Sequence, residues 1–186
     1  AQYSLLVEDK DGTNLFEVLA GGGGANLRSG SLYLLDKIIH YGDTNTAIRF
    51  PATDTVSVET GGSEALRIDS SQRVVIGATS SRTVFGNHNS LQVEGLGGGA
   101  NGVSITRNTN DAWYPYLTFG KSRGTSDGSS TIVQSGDSTG VISFNGADGG
   151  DMNNQTAQIE SAVDGTPGVD DMPGRLMFYT TADGGS

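Results

Sequence analysis

The chain has no cysteine, which excludes disulfides, thiolate metal sites and a cysteine nucleophile. Cations are also few. Eleven Lys and Arg stand against 21 Asp and Glu in 186 residues, a formal net charge of −10. Neutralising a row of phosphates needs a dense Lys/Arg cluster, and none occurs, so nucleic acid is not an expected partner. The acidic charge is spread over turns, where it serves solubility. No apolar run reaches the roughly 18 residues of a spanning helix, so membrane insertion by a helix is not expected. The opening residues 1–12 lack the basic region and cleavage site of a signal peptide. The closing Thr-Thr-Ala-Asp-Gly-Gly-Ser reads as a cut through a turn, and the chain is expected to be part of something longer.

Large apolar residues are scarce as well. Leu, Ile, Val and Phe number 41, about 22% of the chain, barely above the ~20% level below which disorder is expected. A lone domain with so little to bury struggles to offset its conformational entropy. Two readings follow: disorder, or a structure whose core is completed by other copies of the chain.

What the sequence does have is glycine, 29 residues of it, and alternation of period two. Ile48 and Phe50, Val56 and Val58, Leu66 and Ile68, and Val74 and Ile76 are apolar pairs separated by one polar, small or oppositely directed residue. Such pairs are the mark of short strands with one apolar face. They recur every eight to ten residues, with turn formers between them at Pro51, Asp54, Gly61–Gly62 and 69–72. Further segments follow the same logic at Leu91/Val93, Val103/Ile105, Leu117/Phe119, Ile132/Val133, Ile142/Phe144, Ile159 and Leu176/Phe178. Near the N-terminus, residues 4–9 and 15–20 predict a hairpin across 9–14. Residues 31–39 fit a short helix through Leu32, Leu35 and Ile39, but the β-branched end favours an extended segment.

The predicted fold is mainly β: short-strand repeats forming an elongated, intertwined homotrimeric β-prism or β-helix fibre. Ile48, Phe50, Val56, Val58, Leu66, Ile68, Ile142 and Phe144 are the expected trimer core, meeting two further copies of the chain on the axis. A single-chain β-sandwich is the competing architecture. The expected segments are an N-terminal connector (1–35), a first β-repeat module (36–80) and a second (81–186), truncated at its C-terminal end.

Motifs that carry chemistry are weak. Asp9, Asp11 and Asn14 look like the front of a calcium loop, but an EF-hand needs a bidentate Glu where Ala20 stands; a polar turn is the favoured reading. The two histidines, His40 and His88, lack a His-x-His pairing, and no nucleophile elbow or phosphate loop accompanies the serines or the glycine runs Gly21–Gly24 and Gly97–Gly99. Glu59, Glu64, Glu94 and Glu160 occupy outward strand positions and read as solvated charge rather than a glycosidase pair. No catalytic residue, cofactor or metal is assigned. Trp113, Tyr114 and Tyr116, with Asn108, Asn110 and Asp111 beside them, have the makings of a glycan contact, since aromatic faces stack on sugar C–H surfaces. The competing reading places Trp113 and Tyr116 in an interchain seam.

Residues 36–77, DKIIHYGDTNTAIRFPATDTVSVETGGSEALRIDSSQRVVIG, resemble a module of tail fibre proteins from marine and cyanobacterial bacteriophages. Residues 91–184, with LQVEG, SITRN, PYLTFGKSRGT, TIVQSGDSTGVISFNGADG and DMPGRLMFYTTADG, resemble a companion module of the same fibres. Together the two cover about three quarters of the chain. Gln72 departs from the pattern, which has Gly in that turn. The resemblance implies a homotrimer on the virion tail, outside the cell, in contact with other tail or baseplate proteins, with distal parts meeting host surface glycan. Relatives of this kind often end in an intramolecular chaperone domain that trimerises the fibre and cleaves itself off. The expected role is a non-catalytic fibre component that contributes to host attachment. Alternatives are a polysaccharide depolymerase tailspike and a purely structural shaft or baseplate connector.

Overall fold

The computed structural model describes residues 34–96 and 101–184, together with the backbone of three N-terminal strands. The chain divides into two units, Ala1–Ser63 and Glu64–Ser186. Among the described residues every regular element is a strand, so the fold is mainly β, as the alternation predicted.

In the first unit, β1 (Leu6–Glu8) and β2 (Asn14–Val18) form the predicted hairpin, and β3 (Ala25–Asn26) pairs with β2. A second antiparallel set comprises β4 (Lys37–His40), β5 (Asp43–Ala52) and β6 (Thr55–Thr60). Lys37–His40 is a strand rather than a helical turn because paired β-branched residues suit a pleated ladder. The register aligns Ile38, Ile48 and Val58 across the three strands, so one face carries a continuous apolar row.

In the second unit, β7 (Ser63–Ile68) pairs antiparallel with β8 (Val74–Ile76), matching Leu66 to Ile76 and Ile68 to Val74. Strand β9 (Leu91–Val93) lies parallel to β8, reached by a crossover without a helix. Then β10 (Ser138–Gly146), β11 (Asn154–Val163) and β12 (Gly174–Thr180) form an antiparallel sheet. Ile142 pairs with Ile159 and Ile159 with Phe178, while Leu176 faces Ser161. Ile142, Ile159, Leu176 and Phe178 therefore share one face, and Val141 and Met177 lie on the other.

The turn between β7 and β8 is held by Asp69. Its Oδ1 accepts the amides of Ser71 (2.9 Å) and Arg73 (3.1 Å), and its Oδ2 accepts Arg73 Nε at 2.8 Å. Burial of Asp69 pushes its pKa up, but the Arg73 and Ser71 amides and the Arg73 guanidinium outweigh it and hold the carboxyl at about 2. Gln72 completes this turn at φ +62°, the left-handed region in which an L side chain costs about 1–2 kcal/mol. Glycine loses roughly 0.5–1 kcal/mol of that advantage through its greater unfolded-state freedom. We therefore expect Gln72→Gly to stabilise the protein by about 0.5–1 kcal/mol, measured as a higher urea midpoint at unchanged slope. The glycine of the fibre pattern is the residue this backbone favours.

Burial is distributed in an unusual way. The buried residues include Ala47, Thr55, Ser57, Val75, Ala162 and Val163, small or medium in size and partly polar. The large apolar residues are exposed: Ile48 by 46% and Phe144 by 50%, with Phe50, Val56, Ile68 and Ile142 also exposed and Val58 and Leu66 half-buried. Every expected trimer-core position is thus incompletely covered by its own chain.

One expectation needs correction. Residues 102–107, 116–121 and 131–134 read as strands but belong to no strand in the structure. Alternation supplies a face, whereas a strand also needs a hydrogen-bonding neighbour. Among the described residues 102–107 and 116–121 have none, and 131–134 have only the Arg123 N to Thr131 O bond at 3.2 Å and a turn bond at Gln134.

Candidate functional site

The aromatic segment lies in the second unit, between residues 107 and 116. Arg107 Nη2 contacts Asp111 Oδ2 at 2.6 Å, and Arg107 Nε donates to Thr109 Oγ1 at 3.1 Å. The other oxygen of Asp111 accepts the backbone N–H of Trp113 at 2.9 Å. That N–H, with smaller help from Thr109 and Arg107 and against a desolvation cost, holds the Asp111 carboxyl below the ordinary range. The ionised carboxylate thereby fixes the chain direction at which the aromatic run begins.

Beyond Asp111 the rings lie in sequence. Tyr114 and Tyr116 have centroids 4.8 Å apart at 58°, and Trp113 and Tyr114 are 6.5 Å apart at 43°. These separations fall within the range of favourable aromatic pairs. Pro115 fixes φ between the two tyrosines and limits the loop's freedom. All three rings are exposed, Trp113 by 64%. The structure thus brings the three sequence-selected residues together and presents their faces outward. Such an arrangement suits stacking on a flat, weakly polar ligand face, with the ring hydroxyls and Asn108 and Asn110 available for hydrogen bonding.

A second feature was not read from the sequence. On the face of β10 and β11 opposite Ile142 and Phe144, an open groove of about 560 Å³ is lined by Ser143, Asn145, Gln158 and Glu160, with Phe85 and Asn87 at its side. Its polar groups are linked: Gln155 Nε2 donates to Ser143 Oγ at 3.2 Å, and Gln158 Nε2 to Glu160 Oε2 at 2.9 Å. Phe85 sits at φ +53° beside Gly86 at +70°, the geometry of a two-residue turn with both central φ angles positive. Phe85 N donates to Met152 O at 3.2 Å and Gly86 N to Asn153 Oδ1 at 2.7 Å, which docks the turn onto the groove's rim. The alternating Ser143 and Asn145 were a legible outward row. The docking of Phe85 across more than 60 residues was not.

The remaining candidates are engaged locally or lie elsewhere. Glu59 pairs with Arg49 at 3.0 Å, Glu64 with Arg67, and Glu94 with Arg82 at 2.9 Å. Arg49 also reaches Asp36 at 2.8 Å, and hydrogen bonds to Asp36 and then Glu59 push its pKa up. His40 is exposed at the end of β4, and His88 Nε2 is hydrogen-bonded to Thr83 Oγ1 at 2.9 Å. Among the described residues no group of three His, Asp or Glu side chains is arranged to hold a metal ion. Residues 9–13 of the candidate calcium loop (Asp9–Asn14), together with Gly21–Gly24 and Gly97–Gly99, lie outside the described residues. In comparisons with known proteins, neither the family models nor the curated proteins match this chain.

Proposed function

We propose that this chain is a non-catalytic segment of a homotrimeric bacteriophage tail fibre, carried on the virion tail and contributing to attachment to the bacterial surface. The observation that supports this reading best is the inverted burial. Large apolar side chains at Ile48, Phe50, Ile142 and Phe144 stand exposed while small ones are buried. Exposed apolar rows of this extent mark association surfaces. Two further copies of the chain cover them in this reading, which also removes the scarcity of core residues noted above. The phage assignment itself rests on the resemblance of residues 36–77 and 91–184 to fibre modules. Other tail or baseplate proteins continue the fibre at its ends.

In this reading Trp113, Tyr114 and Tyr116 contact host surface glycan, repeated three times around the fibre. Sedimentation is expected to give a particle of three 19.2 kDa chains, and a folded monomer at all concentrations overturns the proposal. Binding of the fragment to host cells is expected to fall at least about tenfold in Trp113→Ala, the equivalent of ~1.4 kcal/mol. Undiminished binding removes the aromatic segment from the attachment surface; no binding by the parent trimer leaves the purely structural connector as the correct role.

A further inference from the structure

Residues 102–121 form a stretch of the second unit without main-chain partners among the described residues. Among the described residues none of them makes a main-chain to main-chain hydrogen bond, and only the Trp113 amide has a side-chain acceptor. Folded chains carry about one hydrogen bond per residue, so a run of this length is anomalous. It also exposes apolar side chains: Val103 (73% exposed) alternates to Ile105, and Leu117 (68%) to Phe119. Alternating apolar residues with unpaired amides and carbonyls are strands in every respect except pairing.

We propose that 102–107 and 116–121 become β-strands by pairing with a second copy of this chain, along the open edges of its β10–β12 sheet. Strands β10 and β12 are the outer strands of that sheet, each hydrogen-bonded to β11 alone among the described residues. An open edge is a template for another strand, which is the β-augmentation mode of recognition. The charge balance favours a like chain as the occupant. Residues 102–121 hold Arg107 and Lys121 against Asp111, a net +1, whereas the rest of the chain holds nine cations and 20 anions, a net −11. The segment is attracted to any other copy, while the remaining surfaces repel one another.

The segment starts from a fixed point. Phe119 packs so closely on its own β10 that a Cβ at Gly140 would lie 2.7 Å from the Phe119 Cβ. From that anchor the chain runs back to Tyr116, Trp113 and the Arg107–Asp111 pair. The two pairing segments therefore lie on either side of Trp113 and Tyr114, with Tyr116 at the start of the second, and the presentation of the three rings depends on a neighbouring copy. The inference rests on the homo-oligomeric reading above and locates where the chains exchange strands.

Amide hydrogen exchange on the intact protein, resolved by residue and paired with sedimentation, tests it. In the oligomer the amides of Ser104–Thr106 and Leu117–Gly120 are expected to exchange at least about 100-fold more slowly than unpaired amides, as ladder amides do. On dilution to the monomer they are expected to lose that protection while β11 keeps its own. An oligomer with these amides unprotected overturns the strand exchange and leaves the fibre reading standing. Protection that persists in a folded monomer overturns it too, because the pairing is then within one chain. A folded monomer at all concentrations removes the fibre reading together with this one.

Discussion

Phe144→Asp is expected to dissociate the assembly into folded monomers. Phe144 is half-exposed within its own chain, so the isolated chain loses little more than strand preference at this position, on the order of 0.5–1 kcal/mol. In the proposed trimer the same residue faces the axis. An aspartate there puts three carboxylates into an apolar seam, each with an effective desolvation cost of several kcal/mol. Threefold symmetry repeats the cost and adds mutual repulsion, so the total is on the order of 10 kcal/mol. Ile48→Asp is expected to act the same way in the first unit.

Low pH provides an internal check. Burial raises a carboxyl's pKa, so the introduced aspartates protonate readily and the mutant trimer is expected to recover partly as the pH falls below about 5. Sedimentation from pH 7 to 4.5 measures both effects. Trimers retained by both mutants at pH 7 would show that these faces are not the seam.

Gly77→Ala is expected to be the most damaging conservative change in the second unit. Gly77 takes φ +79° at the end of β8, which costs a residue with a Cβ about 1–2 kcal/mol. That Cβ would also collide with the backbone carbonyl of Glu94, which cannot swing away as a flexible side chain would. Relieving the collision disturbs the Glu94 N–H to Ile76 O bond (2.9 Å) that continues the parallel β8–β9 ladder, worth about another 1 kcal/mol. The expected loss is about 3 kcal/mol, read as a fall in the urea midpoint at fixed protein concentration. Gly61→Ala is the matched comparison. It has φ +58° with nothing within 4 Å of its Cβ, and its expected loss is only about 1–2 kcal/mol from the backbone alone. Equal losses at the two positions would show that the Glu94 contact contributes nothing.

Much of the local structure was legible. The pairs Ile48/Phe50, Val56/Val58 and Ile142/Phe144 fall in β5, β6 and β10, because period two is a property of the pleated backbone and shows in any stretch that adopts it. The turn at 69–72 was legible as well, since its turn formers fall between β7 and β8. The aromatic run was found from residue type alone. The polar groove was missed because neither Ser143 nor Glu160 is distinctive until Phe85 is brought beside them.

The sequence by itself determined a β fold, the positions of its turns and the parity of its apolar faces, all of which are set within a few residues. Only the tertiary structure decided which alternating segments find partners. Ile142 and Leu91 do, while Val103 and Leu117 do not, because pairing needs a second edge that local pattern cannot specify. It likewise decided the parallel joining of β8 and β9 and the docking of the Phe85 turn on Met152 and Asn153. Each depends on groups far apart in the chain meeting at hydrogen-bonding distance, and the side chains left exposed by those choices are what point to further copies of the chain.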